Sequence, residues 1–117
     1  MDRTQPPTAV ESADGLAVVL TTLPSLEVAR ELTRVLVSER LAACANLVPG
    51  VLSIYAWKDE ICEDDEVLCL LKVRRERLGE LHTRLATLHP YDVPEFLVLE
   101  PEAVSGPYRR WLLDVTG

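Results

Sequence analysis

Leu41–Lys72, LAACANLVPGVLSIYAWKDEICEDDEVLCLLK, is the stretch whose reading decides the fold. Val51–Trp57 is an apolar and aromatic run with small and polar residues mixed in, and Val67–Val73 is apolar and partly β-branched. Between them Lys58–Glu66 is dense in charge and lacks helical periodicity. Two strand-like runs joined by a polar segment predict an antiparallel hairpin, with the acidic run as its connection. The arms are longer than the usual strand of about 5–6 residues. Two short helices cannot cover so long a hairpin, and its far end is expected to meet another chain. Pro49-Gly50 predicts a bulge or break in the first arm, because proline removes a ladder donor and glycine permits an unusual backbone angle.

Working outward, Leu16–Thr22 is a short apolar run ending before Leu23-Pro24, which predicts a buried strand. Ser25 can cap the next segment, and Glu27 in its first turn suits the helix dipole. Ala29, Leu32, Leu36 and Val37 then share one face, predicting an amphipathic helix over Leu26–Leu41. Beyond the hairpin Leu78, Leu81, Leu85 and Leu88 alternate spacings of three and four, a helix that His89-Pro90 must stop. Glu95–Glu100 predicts a last strand, and Gly106–Leu113 a short terminal helix with Pro107 in its first turn. The order is β-α-β-β-α-β plus a helix. Right-handed crossovers place both main helices on one face of a four-stranded sheet, an α+β, ferredoxin-like sandwich. Residues 16–117 are expected to form one domain, preceded by a disordered, proline-containing tail over residues 1–15.

Composition narrows the function classes. The chain has 117 residues, 48% of them hydrophobic, and a net charge of −7. That size suits one core, and the sign of the charge argues against nucleic acid, whose binding needs a basic face. No apolar run approaches the ~20 residues of a membrane span, and Met1–Gly15 lacks a signal-peptide core. Three cysteines without a CxxC pair suit neither a disulfide framework nor a structural zinc site, so a reduced, cytoplasmic protein is expected. No nucleophile–base pair or phosphate-binding glycine loop is present, so no enzyme is predicted.

The residues assembled so far carry a signature. Leu41-Ala42-Ala43-Cys44-Ala45-Asn46, Pro49-Gly50, Ser53-Ile54-Tyr55-Ala56-Trp57-Lys58, Glu66-Val67, Leu71-Lys72 and His89-Pro90-Tyr91-Asp92-Val93-Pro94-Glu95 together resemble the CutA divalent-cation tolerance family. The resemblance spans about Leu16–Leu113. It implies a homotrimer of ferredoxin-like subunits, similar to the PII signalling proteins, with the hairpin pairing across subunits. It also implies a role in tolerance of divalent metals, copper above all, through metal binding, with no organic cofactor.

Each candidate site residue has a plainer reading beside the functional one. Cys44 is a soft ligand for copper, or a small buried hydrophobe among alanines. His89 is a metal ligand, or a loop anchor through its ring nitrogens. Tyr55, Trp57, Glu66, Lys72 and Tyr91 are placed around a cleft between subunits, where a lysine with aromatics suits a small anionic ligand; otherwise they are packing residues. That cleft carries the alternative function, a PII-like sensor of an anionic metabolite. Asp59, Glu60, Glu63, Asp64 and Asp65 read as a solvated tip that discourages aggregation. Cys62 is expected in that exposed turn, and Cys69 in the returning arm.

Overall fold

The computed structural model describes residues 10–117. Its elements are β1 (Val10–Ser12), β2 (Leu16–Leu23), α1 (Leu26–Ser38), β3 (Cys44–Trp57), β4 (Glu60–Arg74), a 3-10 turn at Arg75–Arg77, α2 (Leu78–Leu88), β5 (Leu97–Leu99), β6 (Ala103–Ser105) and α3 (Gly106–Val115). The main sheet runs β3-β4-β2-β5, with every neighbouring pair antiparallel. Helices α1 and α2 cover one face of it, the ferredoxin-like arrangement. A second, two-stranded sheet joins β1 to β6.

Helix α1 starts where Ser25, extended at φ −152°, accepts the Val28 N–H at 3.2 Å. It buries Ala29, Leu32, Thr33 and Leu36. It ends earlier than the predicted Leu41, because Arg40 turns left-handed at φ 62°. The Leu41 N–H then reaches the Leu36 carbonyl at 2.9 Å and the Arg40 N–H reaches Val37 at 3.0 Å, a Schellman closure with arginine where glycine is usual. Helix α2 buries Leu81 and Leu85 and stops at His89, extended at ψ 136° ahead of Pro90. Against these faces β2 and β4 present Val19, Leu23, Val67, Cys69, Leu71 and Val73.

The hairpin is longer and its turn tighter than the residues alone suggest. Lys58 and Asp59 make a two-residue turn with both φ positive, at 50° and 64°, and pairing resumes at once with Trp57 opposite Glu60. The acidic run is therefore strand rather than connection: Glu60–Glu66 lies in β4 along Val51–Trp57. Backbone pairing carries this extension, since nearly all its side chains face solvent and no apolar alternation marks it. The register shifts between Val48 and Val51, with Gly50 at φ 76°, where the bulge was expected.

The boundary at residue 16 needs correction. Val10–Ser12 is a strand paired with Ala103–Ser105, and Ala13 is buried with Leu16, Ala43 and Leu112 in a second apolar cluster beneath α3. Residues 10–15 therefore belong to the folded unit. The rest of the expected tail, residues 1–9, lies outside the described residues. Among the described residues no helix is long and apolar enough to cross a membrane.

Candidate functional site

Where the hairpin leaves the core, β3 and β4 meet the end of β2 and the loop from Pro90 to Glu95. These segments enclose an open cleft of about 1020 Å³. Tyr55 and Trp57 reach it from β3, Glu66 from β4 and Tyr91 from the loop. Tyr55 and Glu66 share one face of the hairpin because Tyr55 lies opposite Cys62 and side chains alternate with a period of two.

Two phenol–carboxylate pairs line the walls. The Tyr55 hydroxyl donates to Asp64, and that bond, with burial and the neighbouring charges adding to it, pushes the phenol up to about 12. The Tyr91 hydroxyl donates to Glu66 Oε2 at 2.8 Å, and burial followed by the Glu66 bond raises this phenol further still. Glu66 itself is only 8% exposed, and no basic side chain forms an ion pair with it among the described residues.

His89 stands behind this wall as an anchor. Its Nδ1 accepts the Tyr91 N–H at 3.2 Å, so Nε2 carries the proton and donates to the Thr22 carbonyl at 2.8 Å. Burial holds its pKa below the ordinary imidazole value, partly opposed by the Thr22 bond and the Glu66 charge. Both ring nitrogens are committed, and the ring packs on Tyr91 at 4.8 Å. In a single chain His89 positions the loop that carries Tyr91.

The remaining predicted residues lie elsewhere. Lys72 is opposite Cys44, whereas Glu66 is opposite Val51. Six residues of strand, roughly 20 Å, therefore separate Lys72 from Glu66. The Lys72 ammonium donates to Asn46 Oδ1, and the Cys44 thiol lies 3.7 Å from the same oxygen. Cys44 and His89 do not converge, and among the described residues no three His, Cys, Asp or Glu side chains are placed to hold one metal ion. The structure thus brings together Tyr55, Trp57, Glu66 and Tyr91, and separates Lys72 and Cys44 from them.

Asp64, Asp65, Asp92 and Glu95 join the cleft lining. The two aspartates of β4 read as solvated tip from sequence, because their face depends on a tight turn that the charge run conceals. Cys62 is half-buried in β4 opposite Tyr55 rather than in a turn. Cys69 is buried and desolvation pushes its thiol up to about 11, which makes it unreactive.

Fold and site together define a class: a ferredoxin-like α+β protein with an acidic, aromatic-walled cleft at the root of a projecting hairpin. The family model described as CutA1 divalent ion tolerance protein matches residues 17–115, and the chain belongs to that family. It is 48% identical over 100 residues to the divalent-cation tolerance protein CutA of Thermus thermophilus, covering 86% of this chain and 97% of that one. Human protein CutA is 39% identical over 118 residues, 97% of this chain and 66% of its own. Among solved structures, CutA from Synechococcus elongatus superposes with a TM-score of 0.90 at 34% identity, covering 94% of this chain and 97% of that one. The Thermus thermophilus protein gives 0.84 at 47% identity, covering 87% and 99%.

Proposed function

We propose that this protein contributes to tolerance of divalent metal ions, copper foremost, as a cytoplasmic, non-enzymatic homotrimer that binds the ions weakly. The observation that carries the reading is the family match over residues 17–115. The net charge of −7 favours cations over anions at the surface. Cys44, half-buried and beside Asn46, supplies one soft ligand, and His89 one imidazole if its loop opens. Since the described residues of one chain assemble no complete ligand set, coordination draws on more than one copy.

Assembly has its own support. Among the described residues the outer edges of β3 and β5 are unpaired, and Leu52, Ile54, Leu97 and Leu99 are exposed along those strands. Open, apolar strand edges call for covering by another chain. The groups around the cleft suit binding better than catalysis, with two phenols held protonated by carboxylates and a histidine committed at both nitrogens. Among the described residues of one chain the cleft walls carry Asp64, Asp65, Glu66, Asp92 and Glu95 and no basic residue, so an anionic ligand held by Lys72 calls for the lysine of another copy.

Calorimetry with Cu(II), Cu(I) and Zn(II) at near-physiological salt tests the metal reading. Saturable binding is expected, with Cu(I) weakened in Cys44→Ser. No saturable binding by any of the ions sinks it. Light scattering that returns a monomer mass at micromolar concentration overturns the trimer.

A further inference from the structure

Residues 10–15 lie ahead of the family match, which begins at residue 17, yet they are built into the fold. Val10–Ser12 pairs with Ala103–Ser105, the strand that runs directly into α3. The Ala13 N–H extends that ladder to the Glu102 carbonyl at 3.1 Å. Gly15, at φ 88°, turns the segment back into β2, with the Leu16 N–H closing onto the Ala13 carbonyl at 3.0 Å. The Gly15 carbonyl takes the Arg75 N–H at 2.8 Å, which ties this turn to the end of β4. One end of the segment is thus fixed to the body of the protein and the other to the start of α3.

Its grip falls on the first half of that helix. Arg109 donates to the Asp14 carbonyl at 3.0 Å, and Arg110 lies 3.8 Å from Glu11. The approach is close: a Cβ on Gly106 would stand 3.2 Å from the Glu11 carboxyl carbon. Ala13 is 2% exposed, sealed with Leu16, Ala43 and Leu112 in a cluster separate from the main core. The second half of α3 is held by other means, the guanidinium groups of Arg40, Arg74 and Arg77 on the carbonyls from Leu113 to Thr116. Tyr108 belongs to the first half. It packs on the second cluster beside Trp111, and its hydroxyl stands at the Cys44 thiol. A three-residue ladder with exposed side chains opens far more readily than the eight-residue strand β2 paired to β4.

We infer that residues 10–15 are a strap that holds the first half of α3 down over Cys44. When the strap lets go, α3 pivots on its arginine-held end, Tyr108 lifts, and the Cys44 sulfur opens to soft metal ions and to thiol reagents. The device stands whether or not Cys44 ligates a metal, since it concerns only what can reach the sulfur.

Alkylation of the intact chain with N-ethylmaleimide, read at each cysteine by peptide mass spectrometry, tests it. Cys62, out on the hairpin opposite Tyr55, is the internal reference. Ala13→Asp forces a charge into the second cluster and should release the strap. The rate at Cys44 relative to Cys62 should then rise roughly tenfold or more, and in Arg109→Leu, which loses one hydrogen bond, about two- to fivefold. Light scattering should give both variants the wild-type mass. An unchanged ratio in Ala13→Asp overturns the strap, and so does equal acceleration at both cysteines, which is general unfolding. A ratio that rises only as the mass falls shows that another copy covers Cys44, and the proposal fails. Hydrogen exchange on the wild type decides the matter if Ala13→Asp does not fold. The strap and the first turns of α3 should exchange together and ahead of α1 and β2, and exchange of all of them in one step sinks the proposal.

Discussion

Two buried polar side chains show how differently this core treats them. Thr21 is fully buried opposite Cys69, and its Oγ1 finds no hydrogen-bond partner among the described residues. Replacing an unsatisfied buried hydroxyl by a methyl of the same shape removes a desolvation cost. Thr21→Val should therefore raise stability by about 1 kcal/mol in urea denaturation; a loss of stability would show that the hydroxyl has a partner after all. His89, by contrast, is satisfied at both nitrogens. Its pKa is depressed in the folded chain, so near neutrality both states leave it uncharged, and below about pH 6.5 the unfolded chain takes up the proton first. Its contribution is complete above that pH and is lost as pH falls through the lower folded value. Denaturation midpoints at pH 7.5 and 5 should differ more in wild type than in His89→Gln, and an unchanged difference would rule the linkage out.

Among the described residues other than glycine, positive φ falls at the hairpin turn and just past the end of α1. Lys58 and Asp59 both hold positive φ, a geometry that asparagine and glycine adopt at less cost. Asp59→Gly should stabilise the chain by about 0.5–1 kcal/mol, read as a rise in denaturation midpoint; a fall would mean that Asp59 makes a contact worth more than its strain. Arg40 keeps its left-handed turn for a different reason. Its guanidinium reaches across to the carbonyls of Val115 and Asp114 at the end of α3, both at 3.2 Å. Arg74 and Arg77 add bonds to Leu113 and Thr116, so three arginines answer a helix end with no basic residue of its own. No periodicity in α3 announces that arrangement, because its caps come from residues about 40 to 75 positions away.

For the whole molecule the decisive feature is the length of hairpin that no other part of the described residues covers. Leu52 and Ile54 are 58% and 62% exposed, on the face opposite Tyr55. If copies meet there, Ile54→Glu should lower the assembled mass in light scattering while the monomer keeps its circular dichroism, since the residue lies outside the core. An unchanged mass would place any interface elsewhere. The cleft opens at the root of this hairpin, so assembly and binding are expected to be coupled.

By itself the sequence determined α1, α2, β2 and the Val67–Val73 part of β4, because each of these buries one face and must write that face as a repeat. The Ser25 cap, the leucines of α2 and the Pro49-Gly50 bulge follow directly from local chemistry, and Tyr55, Trp57, Glu66 and Tyr91 stood out through a shared motif. Only the tertiary structure decided where the acidic residues go. With both faces in solvent, Glu60–Glu66 has no apolar alternation to betray a strand, and the three-residue strands β1 and β6 meet through backbone bonds that residue identity does not encode. Register then set the geometry within one chain: a turn at Lys58-Asp59 puts Asp64 beside Tyr55 and leaves Lys72 opposite Cys44.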